Sequence, residues 1–241
     1  MSTAVGVDGC RSGWFCFRKE ADSISFGAAS DLEELASMLP RGSRIFIDIP
    51  IGLIDSGNKG RECDLAARSA LGFPRATSVF PAPSYPALAA KNYDHAKHLS
   101  LRTIGKKLSK QAYLITPKIR EVNDFLLSNR SSGYDIREVH PELCFWALND
   151  RQAMAHSKKR PAGFEERLRV LETHLPSARE LAVRAIGNFK HSEVAKDDIL
   201  DALVAMLTAA AREANLKTLP SSPPIDSRGL PMEMVYAEAF S

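Results

Sequence analysis

Nowhere does this sequence run apolar for the roughly 18 residues that a membrane-crossing helix requires, so no membrane association is expected. The start, Met1 to Asp8, has no basic region leading into a long apolar run, and no secretory leader is expected there. Cysteine is scarce. Cys10, Cys16, Cys63 and Cys144 include no C-x-x-C pair, which leaves a zinc ribbon unsupported. Their scatter fits the reduced, buried thiols of a cytoplasmic protein. Aromatic residues make up only 7%, too few for the base-stacking platforms of RNA-reading domains to be abundant. Sequence repeats and long low-complexity tracts are absent.

What is present reads as globular. Apolar residues at 44% and charged residues at 25% exclude a disordered or fibrous chain. The 241 residues suffice for one substantial core, and a single domain over 1–241 is expected. Net charge is +3, yet residues 91–130 carry nine Lys or Arg against three acids, and residues 151–170 carry six against two. The remainder is therefore net acidic. Such basic segments suit either a polyanionic partner or a solvated helix face.

Three short strands with tight turns, at 3–9, 14–18 and 22–27, predict an antiparallel meander. Ser30 with Glu33 reads as a capping box for a helix over 31–39, ended by Pro40 and Gly42. The run Arg44 to Asp48 reads as a central strand covered on both faces. Residues 55–130 change character and read as a helical insertion, with helical patterns at 61–71, 95–113 and 117–128. A strand at 134–140 follows, then helices to about Leu148, at 163–174 and at 177–186. A helix from Asp197 to about Ala214 is apolar nearly all round, as a helix buried in the body of a domain is. A proline-rich coil and a closing strand at 232–236 end the chain. This order predicts an α/β fold, a mixed sheet with helices on its faces.

The informative residues are carboxylates inside apolar runs. Asp8 ends the first strand, Asp48 ends the fourth, Glu138 lies in the fifth, and Asp198 and Asp201 lie three apart on the buried helix. Ionised carboxylates are costly to bury alone, and a shared divalent cation is a common reason for several together. Oxygen ligands from several elements suit Mg²⁺ or Mn²⁺, and two such ions support in-line phosphodiester displacement. Each acid also has a plainer reading. Asp8 and Asp48 fit strand-end turns, Asp197 and Asp198 fit helix caps, and Glu138 fits an ion pair with Arg137 or Lys118.

The strand Val5 to Trp14 resembles the opening motif of the family catalogued as domain of unknown function 429, whose members are described as predicted nucleases of the RNase H-like fold. Further blocks agree: Ile47 to Leu53; Gln111 with Pro117 to Glu121; Glu138 to Glu142; Ser157 to Lys159; and Asp197 to Ala202. The resemblance implies a five-stranded mixed sheet with its first three strands antiparallel and helices on both faces. It places acids on the first strand, the fourth strand and the final helix, where Asp8, Asp48 and the Asp198/Asp201 pair fall. The spacing at 198–202 is similar to the last motif of RuvC-type junction resolvases, which cut phosphodiesters with two metals.

The expectation is a Mg²⁺- or Mn²⁺-dependent nuclease acting on DNA or RNA. Asp8, Asp48, Asp198 and Asp201 would hold metal, Glu138 would be a further ligand or orient water, and Lys118, Arg120, Lys158 and Lys159 would bind phosphate. His140 is a candidate proton shuttle or a packed, hydrogen-bonded histidine. Two alternatives stay open: an enzyme binding a nucleotide or phosphorylated small molecule on the same core, and an inactive scaffold.

Overall fold

The computed structural model describes residues 3–57 and 59–238. Met1, Ser2, Asn58 and the last three residues lie outside the described residues. β1 (Ala4–Cys10), β2 (Gly13–Glu20) and β3 (Ser23–Ala29) form the expected meander. α1 (Leu32–Ser37) leads to β4 (Arg44–Ile47). Five helices follow: α2 (Glu62–Arg75), α3 (Tyr85–Leu88), α4 (Tyr93–Ile104), α5 (Lys110–Leu114) and α6 (Thr116–Leu126). Then come β5 (Asp135–Glu138), α7 (Pro141–Leu148), α8 (Pro161–His174), α9 (Ala178–Asn188) and α10 (Lys196–Ala210). β6 (Leu216–Leu219) and β7 (Met234–Ala237) close the described chain. None of these helices is long and apolar enough to cross a membrane.

The main sheet has the order β3-β2-β1-β4-β5. β1, β2 and β3 pair antiparallel, whereas β1–β4 and β4–β5 pair parallel. This is the mixed α/β sheet of an RNase H-like fold. Side-chain alternation divides it into two faces. Ala4, Phe15, Phe17 and Phe46 pack against α7 to α10. Val5, Val7, Trp14, Cys16, Ile45 and Ile47 pack against α1 and α6. Glu121 on α6 ties that second layer together, accepting from Trp14 Nε1 at 2.8 Å and from the Leu32 backbone N–H at 2.5 Å.

Some local expectations shift. The capping box slides by one residue: Asp31 accepts from the Glu34 N–H at 2.8 Å, while Glu34 reaches back to the Ser30 N–H. That register still buries Leu32, Leu35 and Ala36. The helical pattern over 95–113 is two helices, because Ser109 caps α5 separately by accepting from Ala112 N–H at 3.0 Å. α10 stops at Ala210 rather than near Ala214, where Arg44 captures the Ala211 carbonyl at 3.2 Å and pairs with Glu213. The coil expected after α10 contains β6, whose partner β7 lies some way further along the chain.

Candidate metal centre

Parallel register builds the core of the site. Gly6 pairs with Phe46 and Val7 with Ile47. The next residues, Asp8 and Asp48, therefore stand side by side where the β1–β4 pairing ends, on the face that α10 covers. The Asp48 N–H donates to the Val7 carbonyl at 3.0 Å, so the two backbones stay joined up to the acids.

Gly6 brings the third acid in. A Cβ on Gly6 would lie 1.9 Å from the Met206 backbone nitrogen and 2.2 Å from the Ala202 carbonyl oxygen. Only glycine lets α10 press its backbone onto β1 here. Asp201, one residue before Ala202, is thereby carried to the end of the strands and buried at 1% exposure. Carboxylate oxygens of Asp8, Asp48 and Asp201 all lie within 4.8 Å of one another.

Three clustered carboxylates in a poorly solvated place hold their protons tightly. Burial first, and then the neighbouring acids Asp48 and Asp201, push Asp8 well above the usual carboxylate range. Burial and the Asp201 charge push Asp48 up to about 8. Burial raises Asp201 to about 6 against the opposing pull of Lys158. The Lys158 ammonium donates to Asp201 Oδ2, and the acids around it raise its own pKa despite burial. One cation against three acids leaves the cluster short of positive charge. An all-oxygen donor set of this kind fits a hard divalent cation.

Lys158 owes its position to α8. A Cβ on Gly163 would fall 2.0 Å from the Ser157 carbonyl oxygen, so the loop before the helix lies directly on its first turn. Glu166 accepts from the Ala155 and His156 N–H groups at 2.7 and 2.9 Å. Arg167, buried, donates to the His156 carbonyl at 3.0 Å and pairs with Glu142.

The other predicted residues are placed as follows. Asp198 stays at the edge of the cluster and accepts from the Ala195 N–H at 2.9 Å, capping α10. Asp197 pairs with Lys159 at 3.0 Å. Glu138 departs from the expected arrangement. It pairs in register with Ile47, not with Asp48, so its side chain leaves from the opposite face of the sheet, yet it still lines the cavity beside Asp8 and Asp48 and its charge adds to the rise of the Asp48 pKa. There it forms a two-bond pair with Arg61, at 2.7 and 2.8 Å, and accepts from the Ile51 N–H at 2.6 Å. Neither Arg137 nor Lys118 is its partner: Arg137 binds Glu233, and the Lys118 ammonium donates to the Gly13 carbonyl and lies 4.2 Å from the centre of the Trp14 ring. Arg120 donates to the Leu88 carbonyl and is not part of the cavity wall described next.

A cavity of about 580 Å³ opens over the acids. Core residues including Asp8, Asp48, Asp198, Lys158 and Lys159 form one wall. Residues from the segment between β4 and β5, among them Arg61, Arg75, Gln111 and Lys118, form the other. Arg75 Nε, His140 Nδ1 and Glu142 Oε2 are buried at this lining without a protein partner. The His140 ring bonds to the Ser78 backbone, and burial lowers its pKa, leaving it neutral at physiological pH.

Arg61, Asp64, Glu142 and Arg167 escaped the sequence reading. Asp64 carried a signal, since it lies on the same buried helical stripe as Cys63, Ala67 and Leu71. Arg61 bridges Asp64 and Glu138 and also donates to the Ile51 carbonyl at 3.0 Å, fixing the loop that follows Asp48. That role depends on the loop's path and leaves no local mark.

No curated protein and no solved structure matches the chain. A family model does, over residues 6–225, from the first strand with its acid to beyond the last helix and its acid pair. The chain thus belongs to the family described as protein of unknown function DUF429.

Proposed function

We propose that this protein is a divalent-metal-dependent hydrolase of phosphodiester bonds in nucleic acid. The observation that carries the reading is the meeting of Asp8, Asp48 and Asp201 within 4.8 Å, from where the parallel β1–β4 pairing ends and from α10. Those three side chains would hold Mg²⁺ or Mn²⁺, with Asp198 at the edge. A metal bound there supplies Lewis acidity and a water of lowered pKa.

The chain's own groups do the rest. Lys158 offsets part of the carboxylate charge and holds Asp201 in place. Lys159, with its side chain 75% exposed, and Arg11 at the rim attract phosphate oxygens without reading sequence. Arg61 and Glu138 hold the loop after Asp48 rigid, so the acid does not drift as substrate binds. Four buried, unpaired thiols support a cytoplasmic location.

The size of the cavity favours one second reading. Its volume falls within the roughly 300–1,000 Å³ usual for small-ligand sites, which suits a free nucleotide or another phosphorylated metabolite. Salt separates the two, because nucleic-acid affinity falls steeply as counterions are released and small-substrate binding responds less.

The test combines calorimetric titration with Mg²⁺ and Mn²⁺ and incubation with labelled single-stranded, duplex and branched DNA and RNA. Metal uptake and cleavage, both lost in Asp8→Asn and Asp201→Asn, are expected. Cleavage that persists in both variants, or no uptake of either ion, overturns the proposal.

A further inference from the structure

We propose that the substrate enters as an unpaired strand, with one nucleotide in the cavity and an adjoining base stacked on Phe73. This rests on the phosphodiesterase reading above and specifies its substrate class. The first reason is the shape of the site. The acids lie in a cleft rather than on a flat face. Arg75, Thr77, Ser78, Val79 and Phe80 stand across from the strand ends that carry Asp8 and Asp48. A cavity of about 580 Å³ takes a unit the size of one nucleotide. Enzymes that act inside a pocket work on single strands or extrude the nucleotide they attack.

The second reason is independent of volume. Phe73 is 96% exposed, and among the described residues it is the one aromatic in the set of exposed large apolar side chains. It sits where α2 breaks: Gly72 and Phe73 leave helical geometry, and the chain resumes at Arg75. Leu71, just before the break, is buried, and Arg75 and Thr77, just after it, line the cavity. The break thus turns a large aromatic ring outward two residues from the cavity wall.

Positive charge along the cavity supplies the other half of a single-strand site. Arg11, Arg75, Lys118 and Lys159 all line the cavity. An aromatic face beside backbone-tracking cations is how proteins hold unpaired nucleic acid without sequence preference. The buried Arg75 Nε, His140 Nδ1 and Glu142 Oε2 leave hydrogen-bonding capacity in the wall that the chain does not itself fill, which a polar nucleotide unit can use after small side-chain adjustments.

The test measures fluorescence anisotropy of a short labelled oligonucleotide, as single-stranded DNA, single-stranded RNA and duplex, in chelator to prevent cleavage. Wild type is compared with Phe73→Ala and Phe73→Tyr, and thermal denaturation checks that both variants are folded. Single strands should bind at least tenfold more tightly than duplex. Phe73→Ala should weaken single-strand binding about tenfold, the order expected for loss of one stacked base, and Phe73→Tyr should restore it. Equal binding of duplex and single strand, or Phe73→Ala binding like wild type, overturns the proposal. Hydrolysis of bis(p-nitrophenyl) phosphate with Mn²⁺ is measured alongside. If that ester is cleaved while no oligonucleotide binds, the single-strand proposal falls and the phosphodiesterase reading stands. If neither occurs, both fall.

Discussion

Replacing Asp48 by Asn should make the metal-free protein more stable while abolishing its uptake of metal. Asp48 is the informative choice because Asp201 also holds Lys158, and removing Asp201 would strand that ammonium. Folding places the Asp48 carboxyl where its pKa rises to about 8 from an ordinary 3.8. At pH 7 the gap above the ordinary value is about 3 units, and at about 1.4 kcal/mol per unit the penalty has a ceiling of about 4 kcal/mol. Residual solvent access at Asp48 trims this to about 2–4 kcal/mol. Asparagine keeps the shape and cannot ionise, so the penalty disappears.

For a chain of this size, 1 kcal/mol moves the melting temperature by about 2–4 °C, so the variant should melt roughly 5–15 °C higher in chelator. The sign follows from proton counting. Between about pH 4 and pH 8 the folded protein holds a proton on Asp48 that the unfolded chain has released, so wild type loses stability as pH rises through that window. The advantage of Asp48→Asn should therefore grow from about pH 5 to pH 8 and vanish near pH 4. Adding Mn²⁺ should reverse the order, because metal binding stabilises only the wild type. Calorimetric scans with chelator and with Mn²⁺, across pH, provide the assay. A variant that melts at or below wild type in chelator at pH 7, or whose advantage ignores pH, would refute the account of the acid cluster.

Two further substitutions probe the scaffold. Gly6→Ala forces a methyl group into the backbone of α10 and should cost about 3 kcal/mol, the upper end for overpacking. Metal affinity should fall with it as Asp201 is displaced, and an unchanged affinity by calorimetry would show that the close approach does not set the site. Arg61→Leu leaves Asp64 and Glu138 buried without their cation and should cost about 3–5 kcal/mol in urea denaturation. A loss below about 1 kcal/mol would mean that solvent reaches both acids, as it does for exposed pairs.

Much of this protein could be read along the chain. Alternating and continuous apolar runs marked the five strands, and their order with the intervening helices pointed to a mixed sheet. Acids that interrupt apolar runs are conspicuous because an unpaired buried charge is so costly, and Asp8, Asp48 and Asp201 stood out for that reason. Local signals also located the helices, with boundaries off by one residue at the Asp31 cap of α1 and by about a turn at the end of α10.

Tertiary structure alone decided which of the acids meet. Glu138 looked equivalent to Asp48 in sequence, yet strand register sets it one residue out of step, and in a sheet one residue means the opposite face. Its partner Arg61 lies 77 positions away, and no local pattern encodes a pairing at that distance. Lys158 read as part of an exposed basic run, whereas Gly163, Glu166 and Arg167 fold its loop back onto Asp201. Residue chemistry and spacing are properties of the chain. Register, close approach and burial arise only when distant segments pack, and those three determine which charges share a site.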